Sequence, residues 1–292
     1  MPVLALSLGL AAAAVFAVTA VAQQQEAARL DTHGSSFFHD LAVRPRWWAA
    51  TVGVGVGYGL QAAALAVGSI LVVQPLLIVA LVFALPLGAR WNHRAVPPSD
   101  VTWAAAIAIA VAVFLVVGTP GVGVEAASLA HWLPSIVVCG VVTVVAGVLA
   151  FGDSARWRSL GLAVIAGTLF GVASVLTKSV AHHLGGGLIP ALKAWETYAL
   201  VGTGALGFVA QQLAFQAGSL EISLPAVTVL DPVMSVAVAM SALDERVQVH
   251  GLGWALIALS CVVMIVGTVA LARAGVPAPT GARSVSDPAP AT

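Results

Sequence analysis

Long apolar runs, separated by charged or Pro/Gly-rich breaks, dominate this sequence. Each run is about 20 residues long, the length at which an α-helix crosses the roughly 30 Å hydrocarbon core of a bilayer. The runs are continuous, whereas a membrane-barrel strand alternates apolar and polar residues. The pattern therefore predicts about nine transmembrane helices. They are expected near residues 2–22, 47–67, 69–89, 101–118, 130–151, 158–182, 194–217, 222–242 and 250–272.

Composition strengthens the prediction of an all-α polytopic membrane protein. Of the 292 residues, 60% are hydrophobic and only 8% are charged, whereas soluble domains carry about 25% charged residues. Lipid must therefore be the main solvent, and a helix satisfies its backbone polar groups internally. A formal net charge of zero argues against a nucleic-acid partner. Cys139 and Cys261 lie inside apolar runs, with no disulfide or metal-ligand spacing.

Arginine placement predicts how the chain is oriented in the membrane, because cytoplasmic loops are enriched in Lys and Arg. One predicted side carries Arg29, Arg44, Arg46, Arg90, Arg94, Arg156, Arg158, Arg273 and Arg283, and the other carries Lys178, Lys193 and Arg246. We expect a bacterial inner-membrane protein with its N-terminus outside and its C-terminus in the cytoplasm. Residues 20–22 resemble a signal-peptidase site, but no Lys or Arg precedes Gln23, so a retained first span is expected.

The chain resembles itself across an interval of about 150 residues. Residues 7–11 recur as residues 159–163, and Phe16, Val18 and Val21 match Phe170, Val172 and Val175. Gly57, Gln61, Ala64, Gly68, Ser69 and Pro75 align without gaps with Gly207, Gln211, Ala214, Gly218, Ser219 and Pro225, and Trp103 corresponds to Trp254. An offset of five spans would place the two copies in opposite orientations, an inverted repeat typical of secondary transporters.

The repeat predicts how the chain is divided. Spans one to four form a first repeat over residues 1–122, and a linker span lies within 123–156. An inverted second repeat covers 157–274, and a disordered Pro/Ala/Ser-rich tail follows at 275–292.

Several short motifs in the second repeat carry a family resemblance. Residues 211–219 read Gln-Gln-Leu-Ala-Phe-Gln-Ala-Gly-Ser, and they are followed by Leu224-Pro225, Asp231-Pro232-Val233, Asp244-Glu245-Arg246 and Gly251-Leu252-Gly253-Trp254. This pattern resembles the drug/metabolite transporter (EamA-like) superfamily, and the resemblance implies a two-repeat helical transporter. The nine-span count is similar to the branch of NIPA-type magnesium transporters, since most members carry ten spans. The first repeat departs from the pattern, with Ala89 before Arg90 where the superfamily has an acidic residue.

Ionisable residues inside spans are functional candidates because their burial in lipid is costly. Asp231 is predicted about 14 Å deep, at 1.5 Å per helical residue, and is expected to bind a proton or a cationic group. The alternative is a structural role, in which Asp231 hydrogen-bonds backbone groups freed by Pro232.

Three glutamines, Gln61, Gln211 and Gln212, are expected to line the substrate path or to join helices by hydrogen bonds of about 0.6 kcal/mol each. Gln74 and Gln216 are expected near the interface. Pro75, Pro225 and Pro232 are candidate hinges for alternating access.

Two charged residues are expected near the outer surface. Lys178 is predicted to reach the interface with its long side chain, and Glu196 to stabilise the start of a helix. Both are also candidates for a gate or entrance.

These observations predict a secondary-active transporter of a small metabolite, drug-like or lipid-linked compound. Gly53 to Gly57 lie inside a span and lack a Gly-Lys-Ser/Thr ending, so direct use of ATP is not expected. No enzyme activity, cofactor or bound metal is expected. Two alternatives remain: a divalent-cation (Mg²⁺) transporter, and a non-transporting membrane subunit of a lipid or envelope complex. Membrane lipid, a small-molecule substrate and a homodimer or membrane-protein partner are the expected contacts.

Overall fold

The computed structural model describes residues 2–28, 43–91, 95–119, 121, 123–124, 127–152, 154–217 and 220–274. The described part contains ten α-helices and no strand. They are α1 (Pro2–Ala28), α2 (Pro45–Val67), α3 (Ile70–Trp91), α4 (Pro98–Gly118), α5 (Leu129–Ala150), α6 (Ala155–Gly185), α7 (Leu188–Lys193), α8 (Trp195–Ala217), α9 (Leu220–Ala242) and α10 (Gly253–Ala274). Each of the nine predicted spans falls on one of the nine long helices. The predicted tail at 275–292 lies outside the described residues.

Among the described helices, eight are long and apolar enough to cross a membrane, so the prediction of an all-α polytopic membrane protein is confirmed at this level. The ninth long helix, α8, has 23 residues but also contains Glu196, Gln211 and Gln212. The chain from His182 to Lys193 is largely helical. Its histidines, His182 and His183, belong to the last turn of α6, and the short helix α7 follows.

Close helix contacts are made at glycines. The first helix, α1, runs antiparallel to α2: a Cβ at Gly53 would lie 2.5 Å from Thr19, and one at Gly57 would lie 2.6 Å from the ring of Phe16. Such contacts are common where small residues let two membrane helices approach. The same first helix runs parallel to α3, since Gly9 faces Leu76 and, twelve residues further along both helices, Val21 faces Gly88.

The helix α6 has the same relation to the two helices that accompany it. It is antiparallel to α8: a Cβ at Gly207 would lie 3.0 Å from the ring of Phe170, and further along α8 the carbonyl oxygen of Ala214 accepts a hydrogen bond from Ser159 near the start of α6. It is parallel to α9, where Cβ atoms at Gly167 and Gly171 would lie 2.6 Å from Leu230 and Met234 respectively. These glycines, four residues apart, allow α6 and α9 to pack with their backbones close together.

A third close contact joins α4 to α10. Gly267 faces Ile107, and Gly253 faces Val117 at the other end of the same contact. Because the residue number rises along α4 as it falls along α10, the two helices run antiparallel.

The segments that follow α4 and α9 are joined by backbone hydrogen bonds. The amide of Gln248 donates to Gly118 (3.0 Å), the amide of Gly121 to Arg246 (3.0 Å), and the amide of Val124 to Leu243 (2.8 Å). A Cβ at Gly123 would lie 2.0 Å from the carbonyl oxygen of Leu243, so only glycine fits at this position. We call this set of hydrogen bonds the loop ladder.

The predicted hinge prolines lie inside helices. Pro75 belongs to α3, and both Pro225 and Pro232 belong to α9. Each helix continues beyond its prolines, although proline removes a backbone donor from the helix interior. Their hinge role stays a prediction.

Candidate functional site

Asp231 lies at the centre of α9, eleven residues after its first residue Leu220 and eleven before its last residue Ala242. It faces α6, where the close packing at Gly167 and Gly171 brings the two backbones together. The backbone nitrogen and oxygen of Asp231 would lie 3.4 and 2.9 Å from Cβ atoms at those glycines. The carboxyl group is therefore held between two helices midway along their length.

Two hydroxyl groups contact this carboxyl group. Ser174 Oγ of α6 and Ser235 Oγ of α9 lie 3.5 and 3.3 Å from Asp231 Oδ1. The same Ser235 hydroxyl lies 2.8 Å from the Asp231 carbonyl oxygen and 3.2 Å from that of Gly171. Within the described part of the chain, Asp231 has no cationic partner. A proton or a positively charged group is the kind of ligand that such a carboxylate favours.

A tyrosine from α2 interacts electrostatically with this carboxyl group. The phenol of Tyr58 lies within electrostatic range of Asp231, and its ring packs edge-on against Phe16 with centroids 5.2 Å apart. The Tyr58 residue is 57% exposed. It was not among the residues predicted from the sequence, although it precedes Gln61 by three residues and so shares its helix face. We call Asp231, Ser174 and Ser235 the central cluster.

A second polar cluster surrounds Glu245, which is 0% exposed and follows α9. Its carboxylate pairs with Lys178 of α6 and accepts a 2.6 Å hydrogen bond from Ser69 Oγ. It also accepts 3.1 Å hydrogen bonds from the backbone amides of Ile70 and Leu71, at the start of α3. Free amides at a helix N-terminus favour a negative charge. We call Glu245, Lys178, Ser69 and these two amides the terminal cluster.

The position of Lys178 corrects the prediction that it reaches the interface. The residue is 2% exposed and its ammonium group is bound to Glu245. The helix α6 extends to Gly185, so Lys178 lies about two turns inside its end. A buried carboxylate supplied by a distant part of the chain makes burial of the ammonium group tolerable. From the sequence, Glu245 was predicted only as part of a family motif.

One face of α6 connects the two clusters. Ser174 and Lys178 are four residues apart, and Gly171 precedes Ser174 by three, so all three lie along one line of the helix. The central and terminal clusters are thus consecutive polar positions on a single helix face.

The three glutamines predicted to line the substrate path differ in their burial. Gln61 is buried, Gln211 and Gln212 are half-buried, and none of the three has a hydrogen bond to a described residue. Gln74 was expected at the interface, which is wrong: it is buried in α3, with its amide nitrogen lacking a described partner. The side chain of Gln216 lies outside the described residues. Roles of these glutamines in substrate binding stay predictions.

Glu196 lies in the first turn of α8, as expected, but it is buried and not at a surface. Its carboxylate lies 3.5 Å from Nε2 of His183. Its role at an entrance stays a prediction. The described residues contain no group of three or more His, Cys, Asp or Glu side chains that could hold a metal ion.

The sequence is similar to that of another bacterial protein. An uncharacterized protein of Corynebacterium glutamicum is 34% identical over 274 residues, which cover 92% of this chain and 95% of that protein. No known family model matches the sequence. No solved structure matches it either.

Proposed function

We propose that this chain, which belongs to the same family as the Corynebacterium glutamicum protein, is a secondary-active membrane transporter. In this proposal it moves a small metabolite, drug-like or lipid-linked compound by alternating access. The central cluster binds the coupling proton or a cationic group of the substrate. The observation that carries the proposal is Asp231, a carboxylate at the middle of a membrane helix with two hydroxyl contacts and no described cation beside it.

Repeated contacts support an inverted repeat. Phe16 and Gly57 match Phe170 and Gly207 in the sequence repeat, and the same phenylalanine–glycine contact occurs in both halves. In each half the first helix is antiparallel to the second and parallel to the third. Further support comes from the matched helices α4 and α10, which are antiparallel, because halves inserted in opposite orientations have antiparallel equivalents.

The terminal cluster is the proposed seal at one end of the transport path. It joins α3 of the first repeat to α6 and to the segment after α9 of the second. Access from that end therefore requires the contacts of Glu245 to Ser69 and the two amides to separate. Because cytoplasmic loops are enriched in arginine, the distribution of arginines places the terminal cluster at the outer side of a bacterial inner membrane. The C-terminus and most arginines then face the cytoplasm. The resemblance to the drug/metabolite transporter superfamily agrees with this proposal.

Proteoliposomes containing the full chain and a pH-sensitive dye test the proposal, with ethidium and tetraphenylphosphonium as drug-like cations. Addition of a transported cation should move protons in the wild type. Asp231→Asn should reduce this movement at least about tenfold, a loss equal to 1.4 kcal/mol, with an unchanged size-exclusion profile. Asp244→Asn is the matched control, because Asp244 is exposed and asparagine tolerates its positive φ of 53°.

Other results would replace the proposal. Full proton movement in folded Asp231→Asn would remove the central cluster from the mechanism. Magnesium flux without proton movement would favour the divalent-cation alternative. An absence of flux, together with stable co-purification of a membrane partner, would favour the non-transporting subunit.

A further inference from the structure

An apolar groove of about 700 Å³ lies between α1, α2 and the end of α3, away from the central cluster. Its walls consist mainly of small and branched apolar side chains, including Ala14 and Val18 of α1 and Ala49 of α2. At Gly53 the two helices are in contact, because a Cβ there would lie 2.5 Å from Thr19. This contact closes the floor of the groove.

Charged and aromatic residues mark one end of the groove. Arg46 is the second residue of α2, and Trp91 is the last residue of α3. From this rim the lining follows α1 from Ala22 back to Ala14 and α2 from Arg46 on to Gly53. Eight and seven residues of helix correspond to about 10–12 Å of length. The groove therefore runs from a charged rim toward the apolar middle of the two helices.

Arg46 is exposed at the rim and forms no ion pair with a described residue. A guanidinium group offers a planar set of donors that matches the oxygens of a phosphate. Tryptophan beside it is typical of the headgroup level of a bilayer. Val18 is 46% exposed, so the groove is open along α1.

We propose that this groove binds a phospholipid with an anionic headgroup. The headgroup phosphate contacts Arg46, and part of one acyl chain lies along α1 and α2. The volume falls within the range of about 300–1,000 Å³ that is usual for small-molecule sites. Bulk lipid would fill an apolar groove without regard to its headgroup. The charge at the rim is what predicts a preference for an anionic one.

Native mass spectrometry of the full chain tests this, with phosphatidylglycerol and phosphatidylcholine of identical acyl chains as probes. The wild type should bind phosphatidylglycerol preferentially. Arg46→Gln should lower that preference about fivefold, the effect of one arginine near an anionic lipid surface. Arg156→Gln is the matched control, since Arg156 is exposed in the first turn of α6 and does not line the groove.

A second pair of variants tests the apolar part. Val18→Trp should fill the groove and reduce retained phosphatidylglycerol, whereas Val52→Trp, at a 66% exposed position outside the lining, should not. Equal binding of both lipids by the wild type would overturn the proposal, as would unchanged lipid binding in Arg46→Gln or in Val18→Trp. Displacement of the lipid by millimolar glycerol 3-phosphate would show that the acyl chain is not recognised, and would also overturn it.

Discussion

Two buried carboxylates of this chain have different surroundings, and their chemistry differs accordingly. Glu245 has a cation, a hydroxyl and two helix amides around it. Asp231 has two hydroxyls near one oxygen and no described cation. Glu245 is thus neutralised by the protein, whereas Asp231 retains capacity for a ligand. This difference is why Asp231 is the proposed binding residue and Glu245 the proposed seal.

Removing the cation of the terminal cluster should destabilise the protein. Lys178→Met leaves the Glu245 carboxylate buried without its counter-charge, which costs about 3–5 kcal/mol. The double variant Lys178→Met/Glu245→Met should recover part of this loss, because replacing both partners of a buried pair by apolar groups is far less harmful. The amides of Ile70 and Leu71 lose their acceptor, so recovery is incomplete.

The measurement is the free energy of unfolding in mixed micelles. Lys193→Met serves as the control, because Lys193 is exposed and its loss should change stability by less than about 0.5 kcal/mol. Wild-type stability in Lys178→Met would contradict the structural assignment of this ion pair.

The positions of the long helices could be predicted well from the sequence. A membrane helix needs a continuous apolar run of fixed length, and that requirement is visible locally. Contacts between residues that are far apart in the sequence could not be predicted in this way. Lys178 was expected at the interface because Glu245, 67 residues later, could not be assigned as its partner. Tyr58 was missed for the same reason, since Asp231, with which it interacts electrostatically, belongs to the distant helix α9.

The contact between α6 and α9 should be sensitive to the smallest side-chain addition. In Gly171→Ala the new methyl group would lie 2.6 Å from Met234 Cβ and 2.9 Å from the Asp231 carbonyl oxygen. Both belong to or adjoin the backbone, so the helices must separate, at a cost of about 1–3 kcal/mol.

Gly140→Ala in α5 is the matched control. Nothing lies within 4 Å of a Cβ at Gly140, so alanine should be neutral or stabilise the helix by about 0.5–1 kcal/mol. Thermal unfolding in detergent compares the two variants. Equal melting temperatures would show that α6 and α9 are not packed as described.

The proposed alternating access depends on opposite insertion of the two halves, which is a proposal about the whole molecule. It predicts that the equivalent helices α4 and α10 are antiparallel in the membrane. In a chain whose Cys139 and Cys261 are replaced by alanine, Ile107→Cys with Gly267→Cys should therefore form a disulfide under mild oxidation. The close approach of these positions suits the Cβ separation of about 3.5–4.5 Å that a disulfide requires.

Ile107→Cys with Gly253→Cys is the negative control. Gly253 is fourteen residues from Gly267 on α10, about 21 Å along a helix, so this pair should remain reduced. Gel mobility before and after reduction provides the readout. Cross-linking of the control pair alone would contradict the described contact between α4 and α10, and the support that this contact gives to the inverted repeat would be lost.

The loop ladder sets which parts of the protein can move as rigid bodies. It ties the segment after α4 to the segment that carries Glu245, while Gly267 and Gly253 tie α4 to α10. In the proposed transport cycle the first half would therefore not move as one rigid body, because α4 contacts α10 along its length and the segment after α4 is hydrogen-bonded to the segment after α9. In a rocking motion, α4 and α10 would stay in place together. The helices α1–α3 would rotate relative to them, and Ser69 would move away from Glu245, which would stay fixed.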